Sequence, residues 1–199
     1  MTDEISNWLT GHYAELAGTI LGLIYITLSV RQKVLTWPFG IATSVVYAWV
    51  FYTTRFYAGM GLQLYYVAIS IYGWIYWVSG KSKTSAGELP VTRINRPVAV
   101  YGILLAAGSF ILLYFLLTNK TDSPVPFMDA LTTALSIAAT WLLARKVLEN
   151  WLVWIVTDLL CIGLYASQNL WATVVLFAVY EALAIYGYFQ WKSSREVKV

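Results

Sequence analysis

Charged residues are scarce in this sequence. They make up 12% of its 199 residues, whereas hydrophobic residues make up 59%; an average soluble domain has roughly 25% charged residues. This excess of apolar side chains is too large for a soluble core, and the apolar runs recur along the chain. The sequence therefore predicts an all-α integral membrane protein, a single bundle of helices whose solvent is the lipid bilayer.

Cysteine and histidine are nearly absent, with one of each, Cys161 and His12. A single cysteine excludes an intramolecular disulfide, and the sequence has no cysteine and histidine group with the spacing of a metal site. It also has no Ser/His/Asp arrangement and no pair of histidines suited to catalysis. We therefore expect no bound metal, no cofactor and no catalytic residue, which argues against an enzyme.

Seven apolar segments have the length, about 16 to 23 residues, that is needed to span the roughly 30 Å hydrocarbon core of a bilayer. They cover residues 13–30, 35–53, 56–78, 98–118, 127–143, 151–166 and 170–191. The longest gap, residues 80–97, is rich in charge and proline and suits a solvated loop. The sequence thus predicts seven transmembrane helices.

Lysine and arginine are distributed unevenly between the two ends of these segments. The gaps after the first, third and fifth segments and the C-terminal tail carry 11 of the 13 basic residues, and the opposite side carries Arg55 and Lys120. Basic loops remain in the cytoplasm, so we expect the N-terminus outside and the C-terminus inside. Because the basic residues are scattered and form no stripe, no nucleic-acid partner is indicated.

A shift of 114 residues aligns the chain with itself. Residues 31–79 match residues 145–193 without a gap and with 13 identities in 49 positions, where this composition gives roughly four by chance. The period contains four segments, so both copies point the same way through the membrane. We predict three helices within residues 1–79, a cytoplasmic loop and linker helix within 80–126, and three helices with a cytoplasmic tail within 127–199. Parallel repeats of this 3+1+3 kind are typical of carriers, with the substrate near the midplane between the halves.

Two differences between the copies place a carboxyl group in the second half. Asp158 replaces Ser44, and Glu181 replaces Val67. Asp158 lies about 10 Å along its helix from Trp151, and Glu181 lies about midway along the last segment. A carboxyl group at this depth is costly in lipid, so both should face the bundle interior and meet a bound cation, a proton or a hydrogen-bond partner on a neighbouring helix.

Trp151, Trp154 and Asp158 follow the spacing i, i+3, i+7 and therefore share one helix face. Two indoles and a carboxylate suit an aromatic cation through stacking, cation–π attraction and charge pairing. Tryptophans near helix ends are also common interfacial anchors. That second interpretation applies to Trp8, Trp37, Trp77, Trp151, Trp171 and Trp191, and it fits the deeper Trp154 less well.

The first half contributes three neutral candidates. Gln63 lies within an apolar segment, and its carboxamide could bind an amide or a hydroxyl group or could join two helices. Tyr66 is retained in the second half as Tyr180, and Ser44 is the counterpart of Asp158. With the residues of the second half, these complete the predicted substrate-binding set.

The stretch Glu-Asn-Trp-Leu-Val-Trp-Ile-Val-Thr-Asp at residues 149–158 resembles the PnuC family of bacterial vitamin transporters, whose signature here is Trp-x-x-Trp-x-x-x-Asn or Asp. Further matches are Tyr-Ala at residues 57–58, Leu-Gln at 62–63, Ile-Tyr-Gly-Trp at 71–74 and Phe-x-Asp at 127–129. The resemblance covers nearly the whole chain.

This resemblance implies a fold akin to the SWEET sugar transporters and uptake by facilitated diffusion, with trapping by phosphorylation in the cytosol. It also implies a homo-oligomer, specifically a trimer, in the bacterial inner membrane. The residues that match the family's binding motif are Trp151, Trp154 and Asp158, and Gln63 matches its third-helix glutamine.

Members of the PnuC family carry nicotinamide riboside, thiamine or other vitamins. The commoner riboside pattern ends in Asn where this chain has Asp158, and two carboxylates would suit thiamine, which has a thiazolium charge and a basic aminopyrimidine. Nicotinamide riboside is also a fixed cation and defines the family, so we place it first and thiamine second. Seven apolar segments would also suit a proton-coupled carrier or a seven-helix receptor, although residues 170–191 contain no lysine for a retinal Schiff base.

Overall fold

The computed structural model describes residues 17–53, 57–81 and 89–196. Within these ranges it contains seven helices and no strand, apart from an isolated bridge between Thr92 and Val147. The helices are α1 (Ala17–Val30), α2 (Thr36–Thr53), α3 (Tyr57–Lys81), α4 (Arg96–Lys120), α5 (Pro126–Ala144), α6 (Asn150–Ser167) and α7 (Trp171–Glu196). The all-helical prediction is confirmed for the described residues.

The helix limits follow the apolar segments closely. Every described helix start lies within two residues of the predicted one, and the start predicted at residue 13 lies outside the described residues. The helices α3, α4 and α7 continue for two to five residues past their last predicted residue. A helix satisfies its own backbone hydrogen bonds, so it can continue into the headgroup region, where lysine and arginine side chains reach water.

Four of the described helices, α4 to α7, are long and apolar enough to cross a membrane by length and composition. The helices α2 and α3 have 18 and 25 residues, but they include more tyrosine, serine, threonine and glycine. The described helices therefore agree with a protein that passes the membrane several times.

Local chemistry explains where the helices of the second half begin and end. Asn95 accepts a hydrogen bond from the N–H of Val98 (3.0 Å) at the start of α4, which satisfies an otherwise free donor. Both α4 and α5 have proline in their first turn, where no N–H partner is needed. After α6, Asn169 adopts φ 59° and the N–H of Leu170 donates to the carbonyl of Tyr165 (3.0 Å), which closes the helix end.

The chain divides into two compact units, Met1–Ser79 and Gly80–Val199. In the first unit, a Cβ atom placed on Gly40 of α2 would lie 2.9 Å from the ring of Tyr25 on α1 and 3.0 Å from the hydroxyl of Ser70 on α3, so the three helices pack closely. In the second unit, α4 packs on α5, α5 on α6 and α6 on α7. By its contacts, the linker helix α4 groups with α5 to α7.

The turns that precede α2 and α6 have the same backbone conformation. Gln32 and Lys146, which are 114 residues apart, both adopt φ 56°. In each turn the N–H of the following residue donates to the carbonyl five residues earlier, at 3.0 Å in the first and 3.1 Å in the second. This is a Schellman motif, which caps the preceding helix and redirects the chain. The 114-residue shift thus recurs in local hydrogen bonding.

Residues 89–95, which lead into α4, are held against the α5–α6 turn. The N–H of Thr92 donates to the carbonyl of Lys146 (3.0 Å), and the N–H of Leu148 donates to the carbonyl of Thr92 (2.9 Å). The ammonium group of Lys146, a residue 2% exposed, donates to the carbonyl of Leu89 (2.5 Å). One of the basic residues assigned to the cytoplasmic side is therefore buried at this joint, where it binds a backbone carbonyl.

Glu149 binds the same segment through both of its carboxylate oxygens. Its Oε2 accepts a hydrogen bond from the N–H of Ile94 (2.8 Å), and its Oε1 accepts one from Nε of Arg93 (3.2 Å). Arg93 is 60% exposed, so the ion pair contributes less than the backbone bond. We call these contacts, between residues 89–95 and residues 146–149, the loop clamp; they tie the start of α4 to α5 and α6.

Replacing Glu149 by alanine is expected to lower the free energy of unfolding by about 1–2 kcal/mol, since the two carboxylate oxygens that accept from Arg93 and Ile94 are lost. Arg93→Ala removes only the exposed ion pair and should cost about 0–1 kcal/mol. Unfolding of the detergent-solubilised variants measures both losses. Equal losses would contradict the larger contribution of the Glu149–Ile94 bond.

Candidate functional site

Three of the four candidate residues of the second unit lie along one face of α6, and the fourth, Glu181, lies on α7. Trp151 is 1% exposed, Asp158 is 2% exposed and Trp154 is half-buried. The same spacing continues to Cys161, which is 5% exposed, and to the half-buried Tyr165. This face, which we call the α6 stripe, extends for about 21 Å at 1.5 Å per residue. It faces protein, as expected for an intramembrane acid.

Packing of α6 on α7 places Asp158 and Glu181 within electrostatic reach of each other. The Oε2 atom of Glu181 is buried and has no hydrogen-bond partner among the described residues. Neither acid forms an ion pair with a lysine or arginine among the described residues. The Arg93–Glu149 ion pair of the loop clamp involves neither of them. Two adjacent acids without a protein cation favour a ligand that carries positive charge or donates hydrogen bonds.

Four tryptophans interpreted as interfacial anchors are buried in helix packing, and that interpretation is wrong for them. They are 0–1% exposed: Trp37, Trp77, Trp151 and Trp191. The rings of Trp151 and Trp191 meet edge to face at 5.6 Å and 86°, and a Cβ atom on Gly187 would lie 2.8 Å from the Trp151 ring. Enclosed in this way, Trp151 has no free face for stacking on a substrate. Trp171, at 62% exposed, still suits an anchor, and Trp8 lies outside the described residues.

The candidates of the first unit lie on α2 and α3. Ser44 is 5% exposed on α2, and Gln63 and Tyr66 are half-buried on α3. The ring of Tyr66 lies 5.5 Å from that of Tyr65, and its phenol is within electrostatic reach of Tyr25 on α1. The first unit therefore gathers neutral phenol groups, whereas the second gathers carboxyl groups.

Sequence reasoning missed the polar residues beyond Asp158 on the α6 stripe. Cys161 interacts with the side chain of Thr132 on α5, and the ring of Tyr165 lies 5.2 Å from that of Phe177 on α7. Cys161 and Tyr165 follow Asp158 by three and seven residues. Continuing the spacing of the tryptophan motif past the acid would have found both.

An acidic and aromatic stripe enclosed by apolar helices suits the binding of a small organic molecule. Comparison with known proteins agrees: residues 12–193 match the family described as nicotinamide mononucleotide transporter. The chain belongs to this family. It is a membrane transporter for a vitamin, and not an enzyme.

Relatives within this transporter family match most of the chain. The protein is 27% identical to the nicotinamide riboside transporter PnuC of Escherichia coli strain K12 in an alignment of 209 positions. This alignment covers 92% of this chain and 87% of the relative. It is 26% identical to the riboflavin/roseoflavin transporter RibM of Streptomyces davaonensis over 182 residues, which cover 90% and 84%. The resemblance to the PnuC family seen in the sequence motifs is confirmed.

A solved structure described as the crystal structure of the vitamin B3 transporter PnuC has the same fold. The TM-score is 0.73 over 98% of this chain and 86% of the other, at 21% sequence identity. At this identity the likeness establishes the fold alone. The fold is therefore that of a helical membrane transporter.

We expect Asp158→Asn to leave the stability of the ligand-free protein unchanged or to raise it by about 1 kcal/mol, because the substitution removes a buried charge that pairs with no cation of the described residues. The matched control is Asp122→Asn, an exposed loop acid, which should change stability by about 0.5 kcal/mol or less. Unfolding midpoints in detergent measure both. A clear loss of stability in Asp158→Asn would show that the acid is a structural partner instead.

Proposed function

We propose that this protein takes up nicotinamide riboside by facilitated diffusion. The proposal is supported above all by the buried Asp158 and its neighbour Glu181, two acids with no protein cation among the described residues. The half-buried Trp154 lies one turn before Asp158 on the same face of α6. The pyridinium ring of nicotinamide riboside supplies both the charge that offsets a buried carboxylate and a flat face that stacks on an indole.

Each candidate residue has a role in this proposal. Asp158 and Glu181 pair with the cation, and Trp154 stacks on its ring. Trp151 begins the same motif and supports the site from the cytoplasmic end of α6. Three neutral side chains proposed from the sequence, Gln63, Tyr66 and Ser44, could donate or accept hydrogen bonds of the kind that ribose hydroxyls and a carboxamide require.

Thiamine is the second candidate, because Asp158 departs from the Asn of the commoner riboside pattern and a second acid lies beside it. Relatives named for nicotinamide riboside and for riboflavin are 27% and 26% identical to this chain. Overall similarity therefore favours no single vitamin strongly, and the choice depends on the side chains of the site.

The proposed transporter has seven membrane-spanning helices in the 3+1+3 order, with its N-terminus outside and its C-terminus in the cytoplasm of a bacterial inner membrane. The order is supported by the 114-residue shift, which recurs in the turns before α2 and α6. The orientation is supported by the 11 basic residues on one side. A trimer surrounded by lipid follows from the resemblance to the PnuC family.

Calorimetric titration of the purified protein with nicotinamide riboside, thiamine and riboflavin tests the substrate. We expect the riboside to bind most tightly. Asp158→Asn should weaken the binding of both cations, because each loses a charge-assisted contact. It should weaken thiamine binding about tenfold more, since the new amide can still hydrogen-bond to the carboxamide of the riboside.

The matched control for this titration is Asp122→Asn, which should leave all three affinities unchanged. If wild-type protein binds none of the three ligands, the proposed substrate class is wrong. If the preference is the same in wild type and Asp158→Asn, the acid does not select the substrate.

Uptake into proteoliposomes tests the mode of transport. We expect the internal riboside concentration to approach the external one and no further, and the initial rate to be the same with and without a pH gradient, because facilitated diffusion couples to no second gradient. Accumulation driven by a pH gradient and lost in Asp158→Asn would contradict this expectation and would favour a proton-coupled carrier.

A further inference from the structure

We infer that Trp151 is a positioning residue: enclosed by Gly187 and Trp191 of α7, it fixes the rotation of α6 and thereby places Trp154 and Asp158 for binding. The inference rests on the proposed function in one respect: the binding measurement that tests it uses nicotinamide riboside. In this inference Trp151, the first tryptophan of the motif, contacts the neighbouring helix α7. Direct recognition would instead require Trp151 to contact the substrate.

Trp151 is enclosed by α7 on the side that faces it. Trp151 and Trp191 are 1% and 0% exposed, and their rings meet edge to face at 5.6 Å. Three ring atoms of Trp151 would lie 2.8 Å from a Cβ atom on Gly187. Glycine is therefore required for the ring to reach the backbone of α7. Rotation of α6 in one direction would drive the indole into that backbone, and rotation in the other direction would break the contact.

The first unit contains the same three residue types 114 positions earlier: Trp37, Gly73 and Trp77 correspond to Trp151, Gly187 and Trp191. We call each set a packing trio. The rings of Trp37 and Trp77 meet at 5.3 Å and 89°, and a Cβ atom on Gly73 would lie 2.5 Å from the Trp37 ring. At the counterparts of Trp154 and Asp158, however, α2 has glycine and serine. The packing trio thus persists where the binding aromatic and the acid are missing, which marks it as a packing device.

The indole nitrogens agree with this assignment. Nε1 of Trp151 and Nε1 of Trp37 are both buried without an acceptor among the described residues. The same unused donor occurs in the unit that has the acid and in the unit that lacks it. The ring shape, and not a hydrogen bond to a ligand, is therefore the property that both tryptophans share.

The shared helix face connects this packing to the site. Trp151, Trp154 and Asp158 lie on one face of α6, so a rotation fixed at the first residue is transmitted to the other two. A rotation of about 20° moves atoms about 6 Å from the helix axis by about 2 Å. Binding groups must be held within about 0.5 Å and 10–20° of their productive geometry, so this contact controls the affinity of the site.

Gly187→Ala tests the inference, with Gly73→Ala as its matched control, because both add a methyl group against a buried indole. Gly187→Ala should weaken nicotinamide riboside binding by about 10- to 100-fold. At a comparable loss of thermal stability, Gly73→Ala should weaken it less, by about two- to fivefold, because the helices that it displaces carry the neutral candidates Ser44, Gln63 and Tyr66 and not the acids that pair with the cation. The double variant Gly187→Ala/Trp151→Phe, in which a smaller ring makes room for the methyl group, should bind more tightly than Gly187→Ala alone.

Direct recognition of the substrate by Trp151 makes the opposite forecast. In that case Trp151→Phe weakens riboside binding and Gly187→Ala leaves it intact. The double variant then binds no more tightly than Trp151→Phe alone. This set of results overturns the inference. Should Gly187→Ala fail to fold, Trp191→Phe removes the other partner of the ring and should weaken riboside binding in the same way.

A measurement without ligand separates this inference from the proposed function. In a Cys161→Ala background, Asp158→Cys provides a single thiol whose alkylation by a maleimide reports the exposure of position 158. Adding Gly187→Ala should raise the alkylation rate several-fold, and adding Gly73→Ala should not. If wild type binds no riboside but the rate rises, the proposed substrate fails and the positioning role holds; an unchanged rate overturns the positioning role.

Discussion

An indole ring lies directly against a glycine of the next helix in each unit, and the geometry of both helix pairs depends on this contact. Trp37 lies on Gly73, and Trp151 lies on Gly187. In lipid, helices associate mainly through close packing, because the apolar tails around them are no less favourable than another helix. A glycine that admits a whole ring, with an edge-to-face partner that contributes about 0.5–1.5 kcal/mol, therefore fixes both the separation and the rotation of the pair.

The two units share this helix pair but differ beside it. The aromatic ring that packs next to the pair comes from a different helix in each unit. In the first unit Gly40 leaves room that Tyr25 of α1 fills, with 2.9 Å between its ring and a Cβ atom on the glycine. In the second unit these positions correspond to Trp154 and to Ala139, which is 0% exposed. The aromatic ring thus lies on α1 in the first unit and, in the second, on α6, the counterpart of α2, where it is one turn from Asp158. A common scaffold permits this exchange because the volume change is compensated locally.

The sequence predicts the helices well and their contacts less well. Apolar runs of membrane-spanning length locate every described helix, because the bilayer imposes the same length on each. Hydropathy assigns one value to a tryptophan at a helix end whether it faces lipid or glycine, so the burial of Trp151 could not be predicted. Charge counting likewise assigned Lys146 to the cytoplasmic side but could not show that its ammonium group is buried and bonds to Leu89, 57 residues earlier in the chain. The two acids were predicted at similar depth, but their proximity depends on how α6 packs on α7.

The fold defines a carrier, and a few side chains define what it carries. Relatives named for nicotinamide riboside and for riboflavin are 27% and 26% identical to this chain, so overall similarity alone does not define the cargo. A neutral ligand would displace water from Asp158 and the half-buried Glu181 without offsetting their charge, and this added cost would oppose its binding. A cation offsets the charge as it binds. Under the proposed function, the two acids of α6 and α7 therefore favour a cationic substrate over a neutral vitamin.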